Sequence, residues 1–422
     1  MQNQTTPKGA SVQMLMLFIY MVINFADKLV LQIASGPIRA ELHLTPQEYG
    51  AIASYFFACL TIAGLCVGFL ANRVSARLLI LAMGLSWAIV QFPMLGTVGF
   101  ATIVICRMLL GLGEGGAATV AVHALYKWYP DHKRAMPTAW LSQGSAVGVI
   151  IAAPVLSLLV VHVSWHAAFG ALGLAGLVWS AVWYFVGRDG PLVEVRAAVD
   201  LSDRVSYRSL FFSRTFIGCV VASFGAYWSL SLGLTWFQPF LEEGLGVAPE
   251  WAGILVVAPW LVGAATVISA GAISQMLVAR GVGSRLARGV LGTVPMVVGG
   301  LLLLLVLPSM GGQWAPIIVL MLGTGLTGPI YVVCAPMLSE FTPDQQRAGV
   351  IATYGALYSL SGTMAPLVMG YLVQHAATPL AGYQRGFMVS GSMLLGCGLL
   401  AMWLMAPAFD RARVLKLRGA AA

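Results

Sequence analysis

The chain has 422 residues, of which 59% are hydrophobic and only 9% charged, against about 25% charged in an ordinary soluble domain. So little charge cannot keep a folded surface in water, which excludes a soluble globular protein and places most of the surface against lipid. The formal charge of +8 does not mark a nucleic-acid binder, because the basic residues fall in short loops between apolar stretches rather than on one patch.

In chain order, Met1 to Ala10 is polar with a single lysine. The apolar run after it is as long as a membrane span and has no small-residue cleavage site, so it reads as a retained first helix rather than a cleaved signal. A membrane-crossing helix needs roughly 20 apolar residues. Twelve such stretches follow one another, at 12–35, 47–70, 78–97, 100–126, 135–161, 166–187, 213–238, 250–279, 286–308, 314–338, 348–374 and 384–406. The tightest link is Gly96-Thr97-Val98-Gly99, between spans three and four. All six cysteines (Cys59, Cys66, Cys106, Cys219, Cys334, Cys397) lie in apolar runs without metal-site spacing, so neither a zinc site nor a disulfide framework is expected.

Basic residues orient the spans, since cytoplasmic loops are enriched in Lys and Arg. With both termini inside, 19 of the 23 basic residues fall on the cytoplasmic side, two (Arg39 and Arg385) fall outside, and Lys28 and Arg107 are within the membrane. The longest polar stretch, 188–212, reads as a cytoplasmic linker between a six-helix half at 1–187 and another at 213–422. No segment suits a separate soluble domain, and there is no Walker-type phosphate loop.

The halves carry a repeat. Pro130-Asp131-His132-Lys133-Arg134-Ala135 after span four matches Pro343-Asp344-Gln345-Gln346-Arg347-Ala348 after span ten, 213 residues later. Each Asp is expected to cap the next helix, and each Arg to sit at the cytoplasmic lipid boundary. The next helices carry glycine and then proline: Gly144, Gly148 and Pro154 in span five, Gly362 and Pro366 in span eleven. Gly permits close helix packing and Pro interrupts the backbone ladder. Gly68 to Arg77 and Gly271 to Arg280 form a fainter pair.

Two repeated six-helix halves joined by a cytoplasmic linker resemble the major facilitator superfamily, an all-α membrane fold of twelve helices in two pseudo-symmetric bundles. The loop after span two is similar to that superfamily's G-x-L-A-D-R-x-G-R signature, with Asn72 in place of Asp and Ser75 in place of Gly.

Four charged side chains lie well inside the spans, all in the first half: Asp27 and Lys28 in span one, Arg107 and Glu114 in span four. A charge near the bilayer centre costs at least about 2.5–3.5 kcal/mol, which makes each a functional candidate. Residues 107 and 114 are about two turns apart on one helix face, with Glu114 roughly 10 Å deeper. One reading is a pair of structural salt bridges. The other is chemical: a carboxylate facing a poorly hydrated cavity can take up a proton near neutral pH. With both carboxyls protonated, Lys28 and Arg107 would leave a positive site for an anion, Arg107 through its planar fork and Lys28 as a point charge.

Asn24-Phe25-Ala26-Asp27-Lys28 resembles the N-Y-x-D-R pattern of the anion:cation symporter branch. Arg107-Met108-Leu109-Leu110-Gly111-Leu112-Gly113-Glu114 is similar to its fourth-helix R-x-x-x-G-x-x-E. Tyr227-Trp228 with Leu234-Thr235-Trp236-Phe237-Gln238-Pro239 resembles its seventh helix, and Ser339-Glu340 also fits. The resemblance spans essentially the whole chain. It implies proton-coupling carboxylates at Asp27 and Glu114 and anion-binding cations at Lys28 and Arg107.

It further implies uptake of an organic carboxylate by alternating access in a bacterial inner membrane, as a monomer, driven by the proton gradient and without cofactor, metal or nucleic acid. Lys28 replaces the commoner Arg. Ser359 and Ser145 stand where sugar-acid permeases carry amides, which favours an aromatic or short aliphatic mono- or dicarboxylate over a sugar acid such as a hexonate. Asn24, Gln143 and Ser142 are candidate hydrogen-bonding partners, and Tyr227, Trp228, Tyr331, Tyr354 and Tyr358 candidate lining residues of the second half. His166 reads as an outer-boundary anchor, and His123 lies in span four well away from Arg107. A drug or metabolite antiporter of the same fold is the alternative. Against it, Val149, not Pro, follows Gly148. A membrane sensor would need an output domain larger than the linker or the tail.

Overall fold

The computed structural model describes residues 6–70, 73–130, 133–192, 205–307 and 311–419, and every regular element among them is helical. Among the described residues, twelve helical segments are long and apolar enough to cross a bilayer: Ala10–Ile33, Pro46–Val67, Ala76–Leu95, Phe100–Tyr126, Met136–His162, Trp165–Val186, Arg214–Gly233, Pro249–Ala279, Arg285–Leu305, Trp314–Ser339, Gln345–Gln374 and Pro379–Leu404. These are the twelve expected spans, most of their ends within a few residues of the expected ones.

The chain gathers into two compact units. The first holds the first six spans together with Leu234–Glu242 and Val247–Val257, and the second holds most of the remainder of spans seven to twelve. In the first unit the later pieces are tied in by main-chain contacts. The Tyr49 hydroxyl donates to the carbonyls of Leu31 (3.2 Å) and Thr235 (2.9 Å), and Gln238 Nε2 donates to the Ile33 carbonyl at 3.2 Å.

Glycines bring backbones together where the site is built. A Cβ on Gly144 would lie 2.8 Å from Met21 Cβ, and one on Gly148 would lie 2.6 Å from the Val22 carbonyl oxygen, so spans one and five meet almost backbone to backbone. Gly111 and Gly115 do the same for spans four and two, where an added Cβ would come within 2.4 Å of the Phe56 carbonyl oxygen and of Ala63 Cβ.

Both fourth-position spans are broken. Span four is a helix Phe100–Glu114, a turn at Gly115-Gly116 with Gly116 at φ +82°, and a helix Ala117–Tyr126. Span ten is Trp314–Gly325 followed by Pro329–Ser339. The left-handed turn at Gly116 needs glycine because a Cβ would clash in that backbone conformation.

The repeat motif explains how the second helix of each break ends. Arg134 donates to the Tyr129 and Tyr126 carbonyls at 2.9 and 3.1 Å, and Arg347 to the Ser339 carbonyl at 3.5 Å. Each arginine therefore meets the carbonyl eight residues earlier, at the end of the preceding helix. There a cation satisfies orphaned acceptors and complements the helix dipole.

Asp344 opens its helix, after Pro343, but its side chain, on which the capping expectation falls, lies outside the described ones. Asp131 lies outside the described residues, as does Asn72. Ser75 caps the third span instead, accepting from the Leu78 amide at 3.3 Å. Of the linker, Asp189 stands 3.7 Å from Lys127 Nζ and accepts from the Arg77 amide, while Gln346 exchanges two hydrogen bonds with the Val205 backbone.

Candidate functional site

Span one and the first half of span four place all four charges on buried faces. The continuous helix Phe100–Glu114 buries Ile103, Cys106, Arg107, Leu110, Gly111 and Glu114 as one stripe, so Arg107 and Glu114 do share a face. Asp27, Lys28, Arg107 and Glu114 are 1%, 8%, 3% and 2% exposed.

Their pairing is uneven. Lys28 Nζ lies 2.5 Å from Glu114 Oε2 and donates to Asn24 Oδ1 at 2.6 Å. Asn24, one turn before Lys28, is thus drawn into the cluster. Asp27 is held differently: its Oδ1 accepts from Gln91 Nε2 of span three at 2.9 Å. Arg107 donates to the Asp27 main-chain carbonyl at 3.3 Å and lies 5.1 Å from the centre of the Phe56 ring. Among the described residues neither Asp27 nor Arg107 forms an ion pair, and Arg107 Nε is buried without a hydrogen-bond partner. The structure therefore contains one salt bridge between spans one and four where two were conceivable. The Arg107 guanidinium is left with a carbonyl and a ring as its direct contacts and no carboxylate within ion-pair distance among the described residues.

Gln91 is the residue that sequence reading missed. It stands near the end of span three in an apolar run, and its lone amide was the available signal. Gln143 is half-buried on span five, whereas Ser142 is exposed, and Ser142 and Ser145 donate to their own helix at Thr138 and Ser142. His123 lies beyond the break in span four, half-buried. His166 Nδ1 lies 2.5 Å from the Met94 carbonyl and its Nε2 3.3 Å from Glu41.

The second unit assembles the tyrosines. The Tyr358 ring centre lies 5.3 Å from Tyr227, 6.0 Å from Tyr331 and 5.0 Å from Tyr354, whose hydroxyl is 2.5 Å from Ser223 Oγ. Trp228 is buried outside this cluster, and its indole nitrogen, like the Tyr331 hydroxyl, has no hydrogen-bond partner among the described residues. Ser359 donates to the Ala356 carbonyl of its own helix. At the 213-residue repeat offset, Leu320 and Thr327 stand where span four has Arg107 and Glu114, so the repeat does not extend to the charges. No group of three metal-ligating side chains occurs among the described residues.

Twelve apolar spans among the described residues, with a buried charge cluster in the first unit, define a multi-pass membrane protein. The chain matches the Major Facilitator Superfamily over residues 16–299 and belongs to that family of transporters; it is not an enzyme. A probable L-galactonate transporter of Escherichia coli (strain K12) is 27% identical over 382 residues, covering 85% of this chain and 82% of that one. The hexuronate transporter of Bacillus subtilis (strain 168) is 22% identical, covering 93% and 94%. A probable sulfoacetate transporter of Cupriavidus necator is 26% identical over 91% of each. These relatives agree with the resemblance to the anion:cation symporters. Among solved structures, a bacterial homologue of the lysosomal transporter Spinster superposes with a TM-score of 0.77 at 17% identity, covering 97% of this chain and 99% of that one. The D-xylose–proton symporter gives 0.73 at 16%, over 94% and 98%; both likenesses concern the fold.

Proposed function

We propose that the protein imports an organic acid anion together with protons, as a monomer in a bacterial inner membrane with both termini cytoplasmic. The observation that carries this reading is Arg107, a buried guanidinium with no carboxylate partner among the described residues, beside a lysine whose only ion-pair partner is Glu114. An unpaired buried cation is costly unless a charge from outside compensates it, and a planar fork suits a carboxylate or sulfonate.

In the cycle, protonation of Glu114 releases Lys28, and protonation of Asp27 leaves Gln91 as its neutral partner. The anion then occupies Lys28 and Arg107, and the carrier alternates its access. The named activities of the relatives, with galactonate, hexuronate and sulfoacetate, support an organic anion. The short serines at Ser145 and Ser359 argue for an aromatic or short aliphatic acid. A hexonate is the second reading, favoured by the sugar-acid relatives.

The test uses vesicles reconstituted with the protein and a panel of carboxylates and sulfonates under an inward proton gradient. The wild type is expected to accumulate its anion; Glu114→Gln is expected to lose accumulation but keep counterflow exchange. If Glu114→Gln still concentrates the anion, the coupling role is wrong. If an inward gradient drives export, the protein is an antiporter.

A further inference from the structure

Span one carries a second line of polar groups that the coupling scheme leaves unused. Asn24, Lys28 and Gln32 recur at four-residue spacing, so they lie on one stripe of the helix, about 6 Å apart along its axis. Gln32 is fully buried at 0% exposure. Neither its Nε2 nor its Oε1 has a hydrogen-bond partner among the described residues. Among the described residues it is the only uncharged side chain with both polar atoms buried and unsatisfied.

Such an amide is expensive to hold empty, at about 1–3 kcal/mol for each unsatisfied group. Its chemistry also selects what would fill it. A carboxylate only accepts, so it would leave Oε1 unsatisfied, and an ammonium only donates. An alcohol does both, and so matches an amide open at both ends.

We infer that Gln32 forms a neutral subsite that holds a hydroxyl group of the transported anion, about one helical turn from Lys28, the cation that holds its acidic group. This rests on the reading of Lys28 and Arg107 as the anion site. The hydroxyl is set several bonds from the acidic group rather than adjacent to it.

The test is the thermal stability of the purified full chain, since a ligand that binds only the folded state raises its melting temperature. Matched acids are compared: gamma-hydroxybutyrate against butyrate, and D-gluconate against hexanoate. The wild type is expected to be stabilised more by the hydroxylated member. Gln32→Met, close in volume, is expected to bind that member about tenfold more weakly and to respond to the other as the wild type does. Without ligand, Gln32→Met is expected to melt no lower than the wild type, because it removes an unsatisfied buried amide. Equal stabilisation by both members of each pair would overturn the subsite and leave the anion site standing. A preference that survives in Gln32→Met, or a variant that unfolds, would overturn it too, by showing that the amide is structural. No response to any of these acids sinks the subsite, and no response to the whole panel of anions sinks the anion reading with it.

Discussion

Replacing Lys28 by methionine keeps the unbranched stem and removes only the ammonium, so it isolates the buried ion pair. In the wild type that ammonium lies 2.5 Å from Glu114 Oε2 and 2.6 Å from Asn24 Oδ1. Without it, Glu114 must stay charged and unpaired or take up a proton. A carboxyl that titrates near 4.3 in water costs about 1.36 kcal/mol per pH unit to protonate, hence about 3.7 kcal/mol at pH 7 and about 1 kcal/mol at pH 5. The larger figure agrees with the roughly 3–5 kcal/mol lost when one partner of a buried pair is removed. The sign follows from proton counting: the folded variant holds a proton that the unfolded chain releases, so its deficit grows as pH rises. Adding Glu114→Gln removes the carboxyl, and the double variant is expected to return to within about 1 kcal/mol of wild type, independent of pH. Equilibrium unfolding in detergent at the two pH values measures both. A Lys28→Met deficit equal at both pH values, or a double variant no better than the single, would refute the pairing argument.

Two further substitutions test the frame around the site. Gly111→Ala pushes a Cβ to 2.4 Å from the Phe56 carbonyl oxygen, so it is expected to cost about 1–3 kcal/mol by overpacking; an unchanged melting temperature would show that spans two and four separate freely. Asp410 is fully buried and accepts from the Thr215 amide and hydroxyl at 2.8 and 2.6 Å, capping the start of span seven. Asp410→Ala is therefore expected to lose about 1–2 kcal/mol, and stability retained on denaturant unfolding would contradict that cap.

The span count, the repeat and the four buried charges were all legible before any coordinates. Each depends on a property that can be read one stretch at a time: the hydropathy of about 20 residues, a six-residue motif, a charge inside an apolar run. The match of P-D-x-x-R-A across the halves even anticipated a shared role for Arg134 and Arg347. It did not show that each would cap a helix end eight residues earlier, because neither break could be seen. Gly115-Gly116 looked like ordinary small residues in an apolar stretch, and only the left-handed turn at Gly116 reveals the discontinuity directly after Glu114.

Partner choice was the part that sequence could not contain. Hydropathy shows that Lys28, Asp27, Arg107 and Glu114 enter the membrane, because the cost of burial belongs to each side chain alone. Which of them meet depends on the rotation and depth of helices set by contacts between residues far apart in the chain. Gln91 reaches Asp27 across 64 positions, and Lys28 finds Glu114 across 86. Glycine contacts such as Gly144 on Met21 and Gly111 on Phe56 fix those rotations. Tertiary structure alone therefore decided that Arg107 is the cation left without a carboxylate and that Gln32 is the amide left without a partner.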